Sequence, residues 1–174
     1  MSELARPLRQ FVLHWGEMGA RWGVNRTVAQ IHALLYVSEQ ALTAEEIAET
    51  LAVARSNVSV SLRELQAWGL VRVAHVLGDR RDHFQTTKDV WEMFQIIVEG
   101  RKRREVDPIR TVLRELMSAP GGSLDDHARA RLADLLAFFE MTTAWYEQVR
   151  QMPKSTLARF ARMGSRVARL LDSA

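Results

Sequence analysis

One segment of the chain limits the fold more than any other, because several local signals follow one another in it. Thr43-Ala-Glu-Glu46 has the form of a capping box, in which the threonine hydroxyl caps a helix and Glu46 bonds back to the cap. The pattern predicts a short helix over 44–51, a turn of three small or apolar residues over 52–54, and a longer helix over 55–68. Gly69 then stops the longer helix as a left-handed C-terminal cap.

A β-hairpin is predicted directly after this second helix. Residues 70–76 are rich in β-branched side chains, and apolar and polar residues nearly alternate along them. Residues 78–82 (Gly-Asp-Arg-Arg-Asp) form a tight polar tip, and residues 83–86 form the second strand of the hairpin. The order of these elements is that of a winged helix-turn-helix: a capped short helix, a tight turn, a longer helix and a hairpin with a basic tip. In that architecture the longer helix enters the major groove of DNA, and the hairpin reaches the neighbouring backbone or minor groove.

Apolar residues at helical spacing predict further helices on both sides of this module. On the N-terminal side they cover 3–22 and 26–37, followed by a linker over 38–42, and on the C-terminal side they cover 88–105, 108–117, 125–152 and 155–171. Gly16, Gly19 and Gly23 interrupt the first apolar stripe at a cost in helix propensity, and close approach of a second helix is one reason to carry them.

These elements predict a mainly α fold with a small β-hairpin wing and flanking dimerisation helices. We expect residues 1–24 to form an N-terminal helix that contributes to dimerisation, and residues 25–88 to form the winged helix-turn-helix DNA-binding domain. Residues 89–174 are then a helical region for dimerisation and for an effector. Residues 118–123, Ser-Ala-Pro-Gly-Gly-Ser, are the predicted hinge within that region.

The longer helix of the module has a predicted core side and a predicted reading side. Val58, Leu62 and Leu65 share a narrow sector and face the core, so the opposite face carries Ser56, Val60, Arg63 and Ala67, with Asn57 and Ser59 beside it. Arginine, serine and asparagine suit base edges and phosphates, and small neighbours let the helix sink into the groove. Val60 on that face fits contact with a thymine methyl group, although a singly exposed valine is the alternative.

The charge of the module is less decisive than its shape. Arg80 and Arg81 at the tip of the hairpin favour DNA contact, and the alternative is a hydrophilic turn in which they pair with Asp79 and Asp82. Over residues 43–86 there are five arginines against six acidic residues, and the whole chain has a formal charge of only +3. A winged helix that binds another protein instead of DNA is therefore the rival hypothesis.

Several stretches resemble the GbsR-type branch of the MarR superfamily of bacterial regulators, over roughly residues 11–95. They are HWGEMGARWGVNRT at 14–27, IHALLY at 31–36, LTAEEIAETL at 42–51, VSVSLRELQAWGLV at 58–71 and GDRRD at 78–82. The resemblance implies a homodimeric DNA-binding repressor. It assigns base reading to Ser56, Asn57, Ser59 and Arg63, the wing contact to Arg80 and Arg81, and a backbone contact to Arg26 and Thr27.

The full set of candidate DNA-contacting residues adds two positions from the helix itself. It is Arg26, Thr27, Arg55, Ser56, Asn57, Ser59, Val60, Arg63, Arg80 and Arg81. The chain also departs from the family pattern at two positions. Ala52 stands where the turn usually has glycine, and Ala54 stands where the usual cap is serine, which costs about 1 kcal/mol.

An effector site is a further implication of the resemblance, since some GbsR-type regulators sense choline or related osmoprotectants. Tryptophan and tyrosine faces hold quaternary ammonium groups by cation–π contact. Aromatic residues outside the reading module are candidates for such contacts, namely Trp15, Trp22, Trp91, Trp145 and Tyr146. The alternative, which helical stripes of this kind favour, is that they are core and dimer seam.

The residue inventory argues against other classes of function. The absence of cysteine excludes disulfides and thiolate metal sites, and the five histidines lack the spacing of metal ligands on a helix. No glycine-rich phosphate loop or nucleophile elbow is present, so we expect no enzyme, no cofactor and no metal. With no long apolar run and no secretory signal pattern, we expect a cytoplasmic chain that is not bound to a membrane.

Overall fold

A computed structural model describes residues 4–119 and 124–163, without the side chains of residues 160 and 161. The helices are α1 (Arg6–Arg21), α2 (Arg26–Val37), α3 (Ala44–Leu51), α4 (Arg55–Ala67), α5 (Val90–Arg101), α6 (Asp107–Ser118), α7 (Asp126–Arg150) and α8 (Lys154–Met163). The strands are β1 (Leu42–Thr43), β2 (Val71–Ala74) and β3 (His83–Thr86). Most of the predicted hinge, at 120–123, and the predicted helical residues 164–171 lie outside the described residues.

The chain divides into two compact units, residues 1–97 and residues 98–174. In the first unit, α2 is buried along most of its length because α1, α3, α4 and the sheet all supply apolar side chains to one core. Ile31 and Ile47 are fully buried there, together with Val58 and Leu62 of α4. Burying side chains of this size stabilises the fold by about 1.5–3 kcal/mol each.

The turn between α3 and α4 depends on caps at both ends of α3. The Thr43 backbone N–H donates to Glu46 Oε2 at 2.7 Å, and the Glu46 N–H donates to Thr43 Oγ1 at 3.3 Å, so the predicted capping box is confirmed. The Glu46 carboxylate accepts hydrogen bonds from the Thr43 N–H and from the Thr43 hydroxyl, and these two bonds lower the pKa of Glu46. At the other end, Ala52 adopts the left-handed conformation with φ 53° and ψ 44°. The predicted glycine stop after α4 is also present, with φ +78° at Gly69.

The hairpin is part of a three-stranded antiparallel sheet in the order β1-β3-β2. Val73 pairs with Phe84 across the hairpin, and Leu42 pairs with Phe84 on the other side of β3. Leu42 was predicted to lie in a linker, and this was wrong because a two-residue strand has no periodicity to detect. Thr86 Oγ1 also donates to the Leu70 carbonyl at 2.6 Å, which closes the base of the hairpin.

Among the described residues of the second unit, α6 and α7 carry exposed apolar side chains beside exposed charged ones. The helix predicted over 88–105 instead ends at Arg101 and continues as a π-helical segment, Lys102–Val106, before α6. Lys102 Nζ lies 3.2 Å from Asp107 Oδ2 and 3.6 Å from Glu147 Oε1, which ties this segment to α7. On α7 the side chains of Leu135, Phe138, Met141 and Trp145 are exposed, and we refer to them as the α7 stripe.

Candidate nucleic-acid interface

The two sides of α4 differ as the helical period requires. Val58, Leu62 and Leu65 are buried in the core. Ser56, Asn57, Val60, Arg63 and Ala67 are exposed, and Val60 is 55% exposed although it is apolar. The outer face of α4 therefore carries a mixed polar and apolar surface that no other described part of the chain covers.

Hydrogen bonding separates the side chains of this face into two groups. Ser59 is half-buried, and its Oγ donates to the Arg55 carbonyl at 3.1 Å. The Arg55 guanidinium lies 2.8 Å from Glu45 Oε1 of α3. Within residues 4–119 and 124–163, the side chains of Ser56, Asn57 and Arg63 have no hydrogen bond or ion pair, so their polar groups are available to a ligand.

Loss of the usual serine cap is visible at the N-terminus of α4. Ala54 occupies the N-cap position in an extended conformation and provides no side-chain hydrogen bond. The first turn of α4 therefore presents backbone N–H groups, which favour phosphate or another anion at a helix N-terminus.

The two wing arginines are in different situations. Arg81 is held by Asp79, because its backbone N–H and its Nε both donate to Asp79 Oδ1, at 2.9 and 3.0 Å. This pairing keeps the pKa of Asp79 well below its usual range and raises the pKa of Arg81. Arg80 is exposed and makes no ion pair with another described residue. Arg80 is thus the arginine of the wing whose charge is free for an external partner.

The N-terminus of α2 adds a third element to the same unit. Asn25 caps the helix, with its Oδ1 accepting from the Thr27 N–H at 2.8 Å. Arg26 is exposed at the first helical position, while Thr27 is half-buried. Both residues were assigned a backbone-contact role by resemblance, and that role stays a prediction.

The five aromatic residues named as effector contacts do not share one environment. Trp22 and Trp145 are 59% and 63% exposed, and Trp91 is in edge-to-face contact with Phe94 at 6.4 Å between ring centroids. Tyr146 is half-buried in the second unit, where burial raises its pKa. Trp15 lines a cavity of about 220 Å³ in the first unit.

The remaining residues that line this cavity are not among the predicted site residues. They are Phe11 of α1, His32, Ala33 and Tyr36 of α2, and Val90 and Met93 of α5. His32 is 4% exposed, and its position within the buried helix α2 was a signal that could have drawn attention to it. Burial, together with the nearby charge of Lys88, lowers the pKa of His32 to about 4.

Lys88 connects the end of the hairpin to the C-terminus of α2. Its Nζ donates to the carbonyl oxygens of Leu35, Tyr36 and Ser38 at 2.6, 2.8 and 2.6 Å. An ammonium group has three N–H donors, so all three are used in these bonds. The positive charge also suits the negative end of the helix dipole.

Two further properties of the described residues bear on the class of site. They contain no group of three or more side chains arranged to hold a metal ion. None of their helices combines the length and apolar character that crossing a membrane requires.

Comparison with known proteins shows which proteins this chain is similar to. Residues 22–82 match the sequence model of the MarR family. The chain is 22% identical over 139 residues to the HTH-type transcriptional repressor GbsR of Bacillus subtilis, a match that spans 77% of each protein. It also superposes with a TM-score of 0.64 and 23% identity on a crystal structure described as a transcriptional regulator, over 90% of this chain and 99% of that one. The predicted winged helix-turn-helix fold and the predicted resemblance are thereby confirmed.

Proposed function

Because the central part of the chain matches the MarR family, we propose that this protein is a DNA-binding transcriptional regulator and not an enzyme. The observation that carries the proposal is the outer face of α4, where Ser56, Asn57 and Arg63 are exposed without partners among the described residues. A regulator of this kind works where the chromosome is, in the cytoplasm.

Each side chain on the outer face of α4 has a role that its chemistry supports. Arg63 presents a planar guanidinium that can bond two acceptors of a guanine edge, while Asn57 can bond an adenine edge. The short side chains of Ser56 and Ala67 let α4 approach the bases closely. Val60 can contact a thymine methyl group, which gives an exposed apolar side chain a favourable partner.

Phosphate contacts would position α4 in the groove. Arg80 on the wing and Arg26 at the start of α2 are exposed cations for this purpose. Arg81 contributes after exchanging Asp79 for phosphate, and Arg55 after exchanging Glu45. Because these exchanges lose an existing ion pair, we expect Arg80 to contribute more to affinity than Arg81.

The regulator acts as a homodimer in this proposal. The α7 stripe, with Ile109, Val112 and Leu116 of α6 also exposed, is an apolar surface of the kind that marks protein interfaces. A second copy supplies the same apolar chemistry and would cover it. Two copies then present two α4 helices to a pseudo-palindromic site whose half-sites are about one helical turn apart, ~34–36 Å.

Repression and a small effector are the finer parts of the proposal. The relative from Bacillus subtilis is a repressor, which supports the same direction of control here. A quaternary ammonium effector such as choline stays a prediction. Of the aromatic residues predicted to contact it, Trp22 and Trp145 are largely exposed.

The test is a gel-shift titration on the DNA upstream of the protein's own gene, with Arg63→Ala as the informative variant. If Arg63 reads a base, the variant weakens specific binding by about 1–3 kcal/mol and relaxes the preference at one position of the site. Arg131→Ala removes the same charge from an exposed position on α7 and serves as the matched control.

The salt dependence separates DNA binding from the rival hypothesis. Phosphate contacts predict a steep loss of affinity as salt rises. Absence of any retardation at low salt would instead favour a winged helix that binds a protein.

A further inference from the structure

The turn at the tip of the hairpin presents two neighbouring apolar side chains to solvent. Leu77 is fully exposed and Val76 is 44% exposed, and neither belongs to the hydrophobic core formed by the described residues of the first unit. We propose that Leu77 enters the minor groove of DNA as a wedge, which partly unstacks one base-pair step and bends the duplex. This inference rests on the proposed DNA-binding function and adds to it a contact that α4 and the wing arginines do not make.

The backbone of the turn fixes the position of Leu77. The Asp79 N–H donates to the Val76 carbonyl at 3.1 Å, and Gly78 has a φ of +86°. Glycine with a positive φ at the third position is characteristic of a type II turn, in which Leu77 takes the second position. The side chain of Leu77 therefore projects from the corner of the turn.

Asp79 also holds the turn against the second strand of the hairpin. Its carboxylate accepts from the Arg81 N–H at 2.9 Å and from the Arg81 Nε at 3.0 Å. The same carboxylate lies 3.6 Å from Nε2 of the buried His83 at the start of β3. Because the tip is already ordered, little conformational entropy is lost when Leu77 meets a partner.

The shape and charge of the tip fit the minor groove better than a protein surface. A stable protein interface needs about 800 Å² from each partner, which two apolar side chains on a turn do not supply. The minor groove is only about 6 Å wide and about 7.5 Å deep, which is the scale of a tight turn. Arg80, exposed three residues after Leu77, adds a positive charge that the negative potential of a narrow groove attracts.

Leucine has the chemistry that a wedge of this kind needs. Minor-groove proteins insert apolar side chains between base pairs, and the unstacked step bends the duplex by about 20–90°. The exposed side chain of Leu77 gains by leaving water for the apolar faces of the bases. Because pyrimidine–purine steps such as TA and CA unstack most easily, the wedge predicts a preference for such a step without a hydrogen bond to its bases.

The test measures bending and unstacking with the full chain. The probe is the duplex that the gel shift identifies upstream of the protein's own gene, used at saturating protein so that every duplex is occupied. Fluorescence transfer between the two ends of the duplex measures the bend. The fluorescent base 2-aminopurine, placed in turn at each adenine, brightens where a step unstacks. For the unmodified protein we expect a bend of about 20° or more and brightening at one step in each half-site.

Two substitutions of nearly equal length separate a wedge from a simple contact. Leu77→Gln makes the end of the side chain polar, and an amide without hydrogen-bond partners between bases is unfavourable, so the bend and the brightening should fall by about half or more. Leu77→Met is the matched control, since it keeps an apolar side chain and should retain both signals. Leu77 is fully exposed and outside the core, so both variants should fold.

The base-pair step itself gives an independent measurement. Replacing the brightened step by AA, which is stiff, should weaken binding of the unmodified protein by about tenfold. The same replacement should change binding of Leu77→Gln by no more than about twofold, because this variant does not unstack the step. An equal loss of affinity in the two proteins would contradict the proposal.

The outcomes separate the wedge from the proposed function. Retardation without a bend, or an unchanged bend in Leu77→Gln, overturns the wedge alone and leaves DNA binding by α4 in place. Loss of the bend in Leu77→Met as well would also overturn the wedge, because an apolar side chain of that length should be sufficient. Absence of retardation by the unmodified protein overturns both proposals, and Leu77 is then a candidate contact for another protein.

Discussion

A β-carbon placed on Gly19 would lie 2.6 Å from the β-carbon of Ala29, so α1 and α2 touch at a point where neither backbone has room for a larger residue. Both positions are buried. Since α2 is the central helix of the first unit and α1 lines the cavity beside it, this contact fixes the relation of α1 to the reading module.

Gly19→Ala is expected to destabilise the protein, whereas Gly16→Ala is expected to have a much smaller effect. Either alanine gains up to about 1 kcal/mol of helix propensity. At position 19 the added methyl meets a β-carbon that can move only with its backbone, and such overpacking costs about 1–3 kcal/mol. At position 16 it would lie 2.5 Å from Cγ of Gln30 and 3.2 Å from Cγ of Arg26, side-chain atoms that a change of rotamer moves away without moving the backbone. Urea unfolding of the two variants measures the difference, and an equal loss in both would contradict it.

Ala52→Gly is expected to stabilise the protein. Ala52 is exposed and left-handed, with φ 53°, and a β-carbon there costs roughly 1–2 kcal/mol that glycine does not incur. The greater freedom of glycine in the unfolded chain offsets part of this, so we expect a net gain of about 0.5–1 kcal/mol. Thermal unfolding measures the change.

Ala67→Gly is the control for that substitution, because Ala67 is also exposed but is helical. The same change of residue should there lower stability by about 0.5–1 kcal/mol. A destabilised Ala52→Gly variant would mean that the left-handed strain is compensated by contacts of the Ala52 methyl group.

The elements around Ala52 show which parts of the fold were predictable from sequence. The capping box at Thr43, the exposed outer face of α4 and the stop at Gly69 all depend on residues close together in the chain, and each was predicted correctly. The departure at Ala52 was noticed by resemblance, and the structure shows the left-handed conformation that makes glycine usual there.

The parts that were not predictable depend on residues distant in the chain. The strand at Leu42 exists because Phe84 pairs with it, and the cavity exists because α1, α2 and α5 leave space between them. The bonds from Lys88 to the carbonyls of α2 span about fifty positions and leave no local pattern in the sequence. Arg81 likewise looked equivalent to Arg80 until its ion pair with Asp79 was seen.

The buried imidazole of His32 predicts a specific loss of stability at mildly acidic pH. The pKa of His32 is about 4 in the folded protein and 6.5 in the unfolded chain. Between these two pH values the unfolded chain therefore binds a proton that the folded chain does not. The contribution of the neutral His32 to the free energy of unfolding is therefore complete above pH 6.5 and is lost as the pH falls towards 4. From about pH 7.5 to about pH 5 the linkage amounts to about 2 kcal/mol.

His32→Phe isolates this contribution, because other groups also titrate in the same range. The unfolding free energy of the unmodified chain should fall by about 2 kcal/mol more than that of His32→Phe over that interval. Urea unfolding at the two pH values gives the comparison. Parallel losses in the two proteins would mean that His32 is protonated as readily when folded as when unfolded.

The α7 stripe predicts that one charge on this surface separates the proposed dimer. Phe138 and Met141 are 54% and 62% exposed, and a second copy covering them would bury apolar area that otherwise meets water. Met141→Glu places a carboxylate in that contact, where it has no partner and where two copies repel each other. Sedimentation should show a shift from dimer to monomer, and the gel shift should weaken because one α4 helix alone holds a half-site.

Ala144→Glu is the matched control, since Ala144 is exposed on the same helix but outside the α7 stripe. A Met141→Glu variant that remains dimeric and retains full DNA affinity would show that the α7 stripe is not the contact between copies.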